Sequence, residues 1–481
     1  MPGSDKLIRL RAGAAQVDIT PPLGTFLSGS LAGGRPAQVI ADPLYARTVL
    51  FEHNGRKLAF VTLDLTFVSR HYTTLIRQAA AERLGVAPTA VMVHATQNHS
   101  APPLGPFLLD EDFSTPAEFA WGTDEAYNQL VIERVLTAMQ RAYEALEPVQ
   151  IAVGSGIEGR LAFNRRGVRQ DGTVEMPGSE WDNPLGPGWI RYLEGPIDPE
   201  LGVLCVRADS LRMVAMLLHY TCHPVHMFRK PLPIVTADWP GAWARELQGT
   251  HGEGCVPLVL NGACGNINPW SPYDPDYVED HRRMGTVLAA TTEKVIETLQ
   301  FREETVLDWG VTHLAIPIKE VAFQELEEAQ QFLAEHPDPL WIEEGGRRVD
   351  PRWMRAAGVV SVHGAWERDK VLDYEIQVLR VGQTAFVGLP GEPFVEGQLQ
   401  IKLASPAYPT YVAHATTHTA GYIPTREAFP RGGHEITTAN WARLAPGALE
   451  LIVAGAVSLL NELFAKATGD QRSCGRAVAS H

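Results

Sequence analysis

The chain has 481 residues, of which 45% are hydrophobic and 20% are charged, and its formal net charge is −15. This composition excludes a disordered chain, because so many apolar side chains can bury a sizeable core. The acidic balance argues against nucleic acid or an anionic membrane as a partner, since both require basic patches. The 43 glycines and 35 prolines exceed the usual share and indicate many tight turns.

Cysteines and apolar segments indicate where the protein works. The five cysteines are an odd number without a CxxC pair, which is typical of buried thiols in a reducing compartment. The N-terminus lacks the apolar segment of a secretory signal. The most apolar stretch, near the C-terminus, is interrupted by Glu450 and is too polar to span a bilayer. We expect a cytoplasmic protein that acts on a small molecule, with no nucleic-acid or membrane partner and with a homo-oligomer as an open possibility.

Three segments of the chain share one order of predicted elements. Each has a β hairpin that ends in a polar motif, then a helix, then a strand that ends in a second polar motif. The first has a hairpin turn at Asn54-Gly55 and a helix that ends at Gly85. The second runs from LGVLCVRADSL to GACGNINP, and the third from IQVLRVG to THTAGY. The first and third also match in sequence (AFVTL with AFVGL, VHATQNHSA with AHATTHTAG), which indicates an ancient duplication.

The alternation of apolar strands and helices predicts an α/β fold. We expect a mixed β-sheet core covered by helices on both faces and built from the repeated hairpin-helix-strand units. Insertions are predicted near 104–200 and 303–375, and a last helix near Pro446–Lys466. We expect residues 1–481 to form a single catalytic domain. Polar motifs at the strand ends of such a sheet should converge in one crevice.

The polar motifs contain the residue types that a metal-dependent hydrolase needs. Imidazole and carboxylate groups hold Zn²⁺, and an open coordination position allows the metal to activate water. No single motif is a metal signature, so the prediction depends on their arrangement. One candidate, Asp64, stands alone after an earlier strand. The motifs are QNHS (97–100), CHPVH (222–226), TADWPG (236–241), GACGNINP (262–269), PGEP (390–393) and THTAGY (417–422).

Several of these residues have a structural role as an alternative. His223 follows an apolar strand and precedes a proline, so it can be a hydrogen-bonded core histidine. Asp238 stands at a predicted helix start, where an aspartate often serves as the N-cap. Glu392 also precedes a helix, where a carboxylate interacts favourably with the helix dipole. Asn268 can be a turn residue, and Tyr422 can be an ordinary strand aromatic.

Seven motifs in order resemble the neutral/alkaline non-lysosomal ceramidase family, from about Ala12 to the last helix. They are RAGAAQVDITPPLG, QNHSAP, FNRR, YTCHPV followed by TADWPG, NGACGNINP, LPGEPF and AGYIPTREAF. The resemblance implies one Zn²⁺ in a deep pocket, where zinc-bound water hydrolyses an amide. By the same resemblance, His223, Glu392 and Tyr422 are zinc ligands. Arg165 would bind the substrate or the transition-state oxygen.

The chain departs from the family pattern at one ligand. Gln97 stands where the family has its first zinc-binding histidine, and an amide oxygen is a poorer zinc ligand than imidazole. Three possibilities are open: His99, a supporting group in the family, turns to the metal; His418 replaces the missing ligand; or zinc binds weakly or not at all. The family's serine is Asn268 here and its aspartate is Asn266. The sequence also lacks the C-terminal β-sandwich of true ceramidases, so we expect a substrate other than ceramide.

These observations predict a metal-dependent, zinc-type hydrolase that cleaves an amide or ester bond of a small polar substrate. The alternative is a metal-independent glycosidase or lyase that uses carboxylate and histidine groups of the same pocket. A catalytically silent binding protein is the third possibility. The predicted metal ligands are His99, His223, Glu392 and Tyr422. The predicted catalytic groups are Arg165, Asp238 and Asp64. The predicted substrate contacts are Gln97, Asn268 and His418.

Overall fold

A computed structural model describes residues 9–29, 35–106, 124–177, 189–228, 230, 232–274, 277–342 and 349–474. Eight strands form its largest sheet: β1 (Arg11–Asp18), β2 (Tyr45–His53), β3 (Arg56–Leu63), β4 (Val91–Ala95), β5 (Glu147–Ile157), β6 (Glu200–Ala208), β7 (Met213–Tyr220) and β8 (Val256–Asn261). Their order is β8-β7-β6-β5-β1-β2-β3-β4. The two edge strands, β8 and β4, are parallel to their neighbours, and the other pairs are antiparallel.

A second sheet has four strands in chain order: β9 (Leu307–Pro317), β10 (Val371–Val381), β11 (Thr384–Gly388) and β12 (Thr410–Ala413). It packs against the first sheet in a shared core, where the rings of Phe60 and Phe386 lie 4.8 Å apart. Two-residue strands connect the loops: Phe26–Leu27, Arg35–Pro36, Val39–Ile40, Phe163–Asn164, Gly167–Val168, Val174–Glu175, Tyr192–Leu193, Ile234–Val235, Ile267–Asn268, Glu392–Pro393 and Tyr422–Ile423.

Helices cover the sheets on both sides. They are α1 (Arg70–Leu84), α2 (Glu125–Glu144), α3 (Asp238–His251), α4 (His281–Ile296), α5 (Phe323–Glu335), α6 (Pro351–Asp369), α7 (Val395–Ala404) and α8 (Ala448–Cys474). Alternate residues of β6 face different cores, as the two-residue period of a strand requires. Val203 and Cys205 pack in a core with residues of α3 and α4, whereas Leu204 and Val206 belong to the core between the sheets. The α/β prediction with two covered faces is therefore confirmed.

The last helix is a core helix. Residues Ala448–Ala465 are long and apolar enough to cross a membrane by length and composition alone. Yet α8 packs against β9 and β10, and Ile452, Ala456 and Leu460 are fully buried in the core beside the second sheet. Burial of this apolar stripe at helical spacing accounts for its hydrophobicity.

The three predicted units have the same topology. Each consists of an antiparallel hairpin, a helix and a strand parallel to the second hairpin strand: β2-β3-α1-β4, β6-β7-α3-β8 and β10-β11-α7-β12. Local sequence explains the first unit, because Asn54 (φ 49°) and Gly55 (φ 78°) form its hairpin turn. Gly85 ends α1 in the left-handed conformation and donates its N–H to Ala80 and Ala81. The repeat prediction is confirmed.

The parallel strands of the three units meet in a closed ring of hydrogen bonds. His94 Nδ1–H donates to the His414 carbonyl at 2.7 Å, and His414 Nδ1–H donates to the Asn261 carbonyl at 3.0 Å. The Asn261 N–H closes the ring by donating to His94 Nε2 at 3.0 Å. All three side chains are buried. We call this arrangement the three-unit junction, and it brings the loops that follow the strands to one place.

Candidate active site

A buried histidine and a buried glutamate from different units face each other at the centre of these loops. His223 Nδ1–H donates to the Ile267 carbonyl at 3.0 Å, and His223 Nε2 lies 3.2 Å from Glu392 Oε2. His223 has no exposed surface. Burial, reinforced by the nearby Arg165 charge, lowers the pKa of His223 to about 3. The neutral ring therefore carries its single proton on Nδ1, and the Nε2 lone pair faces the carboxylate.

This His223–Glu392 pair requires a positive charge or a proton. Two lone pairs at 3.2 Å repel each other, and neither atom is a donor when the histidine is neutral and the glutamate is ionised. The arrangement becomes favourable when a cation lies between them or when Glu392 carries a proton. Imidazole and carboxylate groups are both ligands of divalent metals such as Zn²⁺.

Main-chain pairing places Tyr422 beside Glu392. Glu392–Pro393 and Tyr422–Ile423 form a parallel ladder in which Glu392 is paired with Tyr422. Gly391 (φ 73°) and Gly421 (φ 75°) precede the two residues in the left-handed region. A Cβ on Gly391 would lie 2.6 Å from the Gly421 carbonyl oxygen, so this approach requires glycine. The PGEP and AGY motifs therefore build one site.

Arg165 lies beside Tyr422 at this site. Its Nε–H donates to Glu435 Oε1 at 2.7 Å and its Nη1 donates to Asn268 Oδ1 at 3.3 Å. Its guanidinium lies 5.2 Å from the centre of the Tyr422 ring. The third nitrogen, Nη2, is buried and has no hydrogen-bond partner among the residues described. The guanidinium also interacts with the Tyr422 hydroxyl, while Nη2 has no close acceptor among the described residues.

Glu435 is a site residue that sequence reasoning missed. It also accepts a 2.7 Å hydrogen bond from Arg166 and is almost fully buried. Burial alone would raise the pKa of Glu435, but Arg165 and Arg166 outweigh it and hold the pKa at about 2. Its sequence context, Gly-Gly-His-Glu in a loop, matches none of the motifs and gave no signal of this role.

His99 packs against the ring of His223. The centres of the His99 and His223 rings are 5.5 Å apart, and His99 also contacts the edge of Phe228. Both ring nitrogens are buried without a hydrogen-bond partner in the described ranges. Burial, assisted by His223, lowers the pKa of His99 to about 3. A neutral imidazole with free nitrogens can transfer a proton.

Gln97 is buried, and only one of the two atoms of its terminal amide has contacts with other side chains. One atom of its terminal amide lies 2.7 Å from His414 Nε2 and 3.2 Å from Cys264 Sγ. The other atom is buried and has no partner within the described residues. The backbone of Gln97 is left-handed (φ 64°), a conformation that costs a residue with a side chain about 1–2 kcal/mol.

Three predicted site residues are engaged elsewhere. Asp64 accepts two hydrogen bonds from Arg47, at 2.7 and 2.8 Å. Asp238 accepts from His226 Nδ1 at 2.8 Å. His418 Nε2 lies 3.0 Å from Arg70. In the part of the chain that the structure describes, no hydrogen bond joins Asp64, Asp238 or His418 to the His223–Glu392 pair.

The described residues contain no group of three or more His, Cys, Asp or Glu side chains placed to hold a metal ion. The His223–Glu392 pair supplies two strong donors with lone pairs that face each other. Gln97 and Tyr422 add neutral side chains that carry oxygen. The residues that would hold a divalent cation here are therefore one imidazole, His223, and one carboxylate, Glu392.

Comparison with solved structures shows the fold. A ceramidase complexed with C2 superposes with a TM-score of 0.65 and 18% identity, covering 94% of this chain and 75% of the other. Neutral ceramidase from Pseudomonas aeruginosa gives a TM-score of 0.66 and 20% identity, covering 95% and 75%. No protein-family model matches the sequence, and no curated protein sequence is significantly similar. The chain has a ceramidase-like fold, so the resemblance read from the seven motifs is confirmed at the level of the fold.

Proposed function

We propose that the chain is a metal-dependent hydrolase that cleaves an amide bond of a small polar substrate, with an ester as the other possible bond. One observation carries the proposal: the lone pair of neutral His223 Nε2 faces the Glu392 carboxylate at 3.2 Å, which a cation stabilises. The ceramidase-like fold and the ordered motifs support an amide as the scissile bond.

In this proposal, His223 and Glu392 hold the cation and Tyr422 lies beside them. A bound divalent ion lowers the pKa of water and polarises a carbonyl group, and Zn²⁺ is the ion that the family resemblance suggests. Two of the possibilities for the missing histidine ligand lose support. His418 is hydrogen-bonded to Arg70. For His99, which was also predicted as a ligand, we propose proton transfer as its role.

Arg165 binds the carbonyl oxygen of the substrate. Glu435 and Asn268 fix two of its nitrogens, so that Nη2 is held in place as a free donor. A preorganised donor of this kind contributes roughly 10²–10³-fold to the rate when it contacts the developing oxyanion. His99, whose two ring nitrogens have no partner among the described residues, passes the proton of the attacking water to the leaving nitrogen.

We also propose that the protein works in the cytoplasm without a nucleic-acid or membrane partner. The net charge of −15 and the free, buried state of Cys205, Cys222, Cys255 and Cys264 support this part.

Two measurements test the function. Elemental analysis of the purified protein gives the metal content, and hydrolysis assays on a panel of amides and esters, with and without chelator, give the activity. We expect about one equivalent of divalent metal and activity that chelation removes. Glu392→Gln should lose both, whereas Glu52→Gln, a surface substitution beside Arg11, should keep both. Less than a tenth of an equivalent of metal, with activity indifferent to chelation, would contradict the proposal. Activity on a sugar substrate under those conditions would select the glycosidase or lyase alternative.

A further inference from the structure

We infer that Lys319 is a positioning residue for the proposed hydrolysis, because its ammonium group holds the loop that orients Arg165 and Tyr422. The loop comprises residues 436–442, and we call it the clamped loop. This inference rests on the proposed function, since the positions of Arg165 and Tyr422 affect a rate only if a carbonyl compound is cleaved at this site. Lys319 follows β9 in the sequence and belongs to none of the polar motifs.

The first step is the contact of Lys319 with the clamped loop. Lys319 Nζ donates to the Ile436 carbonyl at 2.7 Å and to the Ala442 carbonyl at 2.6 Å. These are the first and last residues of the loop, so one ammonium group holds both of its ends. The main-chain N–H of Lys319 also donates to the Arg443 carbonyl at 2.8 Å, which fixes the lysine backbone beside the loop. Hydrogen bonds from a charged donor are roughly twice as strong as neutral ones.

The second step connects the clamped loop to the site. Glu435 directly precedes the loop, and it accepts hydrogen bonds from Arg165 and Arg166 at 2.7 Å each. Near the other end of the loop, the Trp441 carbonyl accepts the N–H of Tyr422 at 2.6 Å. Both ends of the loop therefore hold a residue of the site. Movement of the loop would displace the Arg165 guanidinium and Tyr422 together.

The third step is the charge of Lys319. Burial lowers the pKa of Lys319 to about 8, and the Glu325 carboxylate of α5 opposes this shift. The other groups that face Nζ are the two loop carbonyls and the Phe429 ring, whose centre is 5.5 Å away. Loss of the proton removes the charge and one of the three N–H donors. The hold of Lys319 on the loop should therefore weaken as the pH rises through about 8.

Steady-state kinetics of the full-length protein test the inference, with the compound of the amide and ester panel that the wild type cleaves fastest. Lys319→Met keeps the length of the side chain but cannot donate a hydrogen bond. We expect it to lower kcat at least tenfold and to change KM less than threefold, because the Arg165 contact acts in the transition state.

Lys57→Met is the matched control. Lys57 Nζ also donates to a carbonyl, that of Leu84 at 2.7 Å, and it also lies over an aromatic ring. This variant should change neither constant by more than twofold, and equal effects of the two variants would overturn the inference. The pH profile gives a second readout. The wild-type kcat should fall at least threefold between pH 7 and pH 9.5, whereas the residual kcat of Lys319→Met should stay constant. An equal fall in both proteins would contradict the role of Lys319.

The outcomes separate the two proposals. If the wild type cleaves no compound of the panel, the proposed hydrolysis is wrong, and fluorine NMR of fluorotryptophan-labelled protein decides whether Lys319 holds the loop. The Trp441 resonance, assigned with Trp441→Phe, should shift between pH 7 and pH 9.5 in the wild type but not in Lys319→Met. A constant wild-type resonance overturns the inference. Should Lys319→Met fail to fold in thermal melts, Lys319→Arg replaces it. Arginine stays charged in this pH range, so the fall in kcat and the shift should both disappear, and their persistence overturns the inference.

Discussion

Glu392 and Tyr422 are partners in a parallel main-chain ladder, in which the Glu392 N–H donates to the Gly421 carbonyl at 2.8 Å. Their spacing is thus set by the backbone and not by packing of the two side chains alone. Gly391 and Gly421 allow the two loops to approach so closely. A substitution that separates the two loops should therefore disturb the geometry of the site and also lower the stability of the protein.

Gly391→Ala should test this dependence. The left-handed backbone and the 2.6 Å approach of a Cβ to the Gly421 carbonyl predict a loss of about 3 kcal/mol in the free energy of unfolding. Gly55→Ala is the control, because Gly55 has a similar φ of 78° but open space around it, and it should cost only about 1 kcal/mol. Denaturant melts measure both, and equal losses would contradict the proposed close approach.

Glu392→Gln should stabilise the metal-free protein by about 1 kcal/mol, although it removes one of the proposed metal ligands. A glutamine N–H can donate to His223 Nε2, where the wild type has two facing lone pairs 3.2 Å apart. Chemical denaturation in chelator measures this gain, and added metal should raise the stability of the wild type alone. A destabilised variant in chelator would indicate instead that Glu392 carries a proton for His223.

Stability should fall as the pH is lowered from 6.5. Burial depresses the pKa of five histidines to about 3 or 4, while the same side chains titrate near 6.5 in the unfolded chain. Below pH 6.5 the unfolded chain therefore binds more protons than the folded one, and each histidine costs about 1.4 kcal/mol per pH unit. The histidines are His94, His99, His223, His414 and His418.

Urea melts between pH 7.5 and 5 measure this dependence in the presence of chelator. A constant midpoint across that range would show that these histidines are not buried neutral groups. The full contribution should be present above pH 6.5, since the folded protein then binds no fewer protons than the unfolded chain at these positions.

Glu435→Gln should destabilise the protein by roughly 3 kcal/mol. It would leave Arg165 and Arg166 without their shared buried counter-charge, and breaking a buried ion pair from one side costs about 3–5 kcal/mol. The control is Glu147→Gln, which removes an exposed partner of Arg212 and should cost less than about 1 kcal/mol. Differential melts of the two variants give the comparison, and equal costs would contradict the buried network.

The repeated topology was predictable because its signals are local. The Asn54-Gly55 turn, the Gly85 helix end and the apolar strands each follow from residues close in sequence. The match of VHAT with AHAT marked His94 and His414 as equivalent strand ends, and both belong to the three-unit junction. What the sequence did not contain was the order of strands across the two sheets, which depends on long-range packing.

Site residues were predictable where the local turn of a motif fixes the side chain. They were not predictable where a residue distant in sequence determines which partner the side chain binds. His223 and Glu392 were identified from loops that follow strands, and the structure brings them to 3.2 Å. Asp64 had the same kind of position, yet Arg47 from the adjacent strand binds it. Glu435 became visible only when the fold placed two arginines around it.

The long sequence separations across the site have a consequence for synthesis of the chain. His223 and Glu392 are 169 residues apart, and Arg165 and Glu435 are 270 apart. The His223–Glu392 pair cannot form until the third unit has left the ribosome, and Arg165 is not oriented until the segment around Glu435 follows. A nascent chain should therefore be unable to capture a metal ion or substrate early, and it should gain both abilities together near the end of translation.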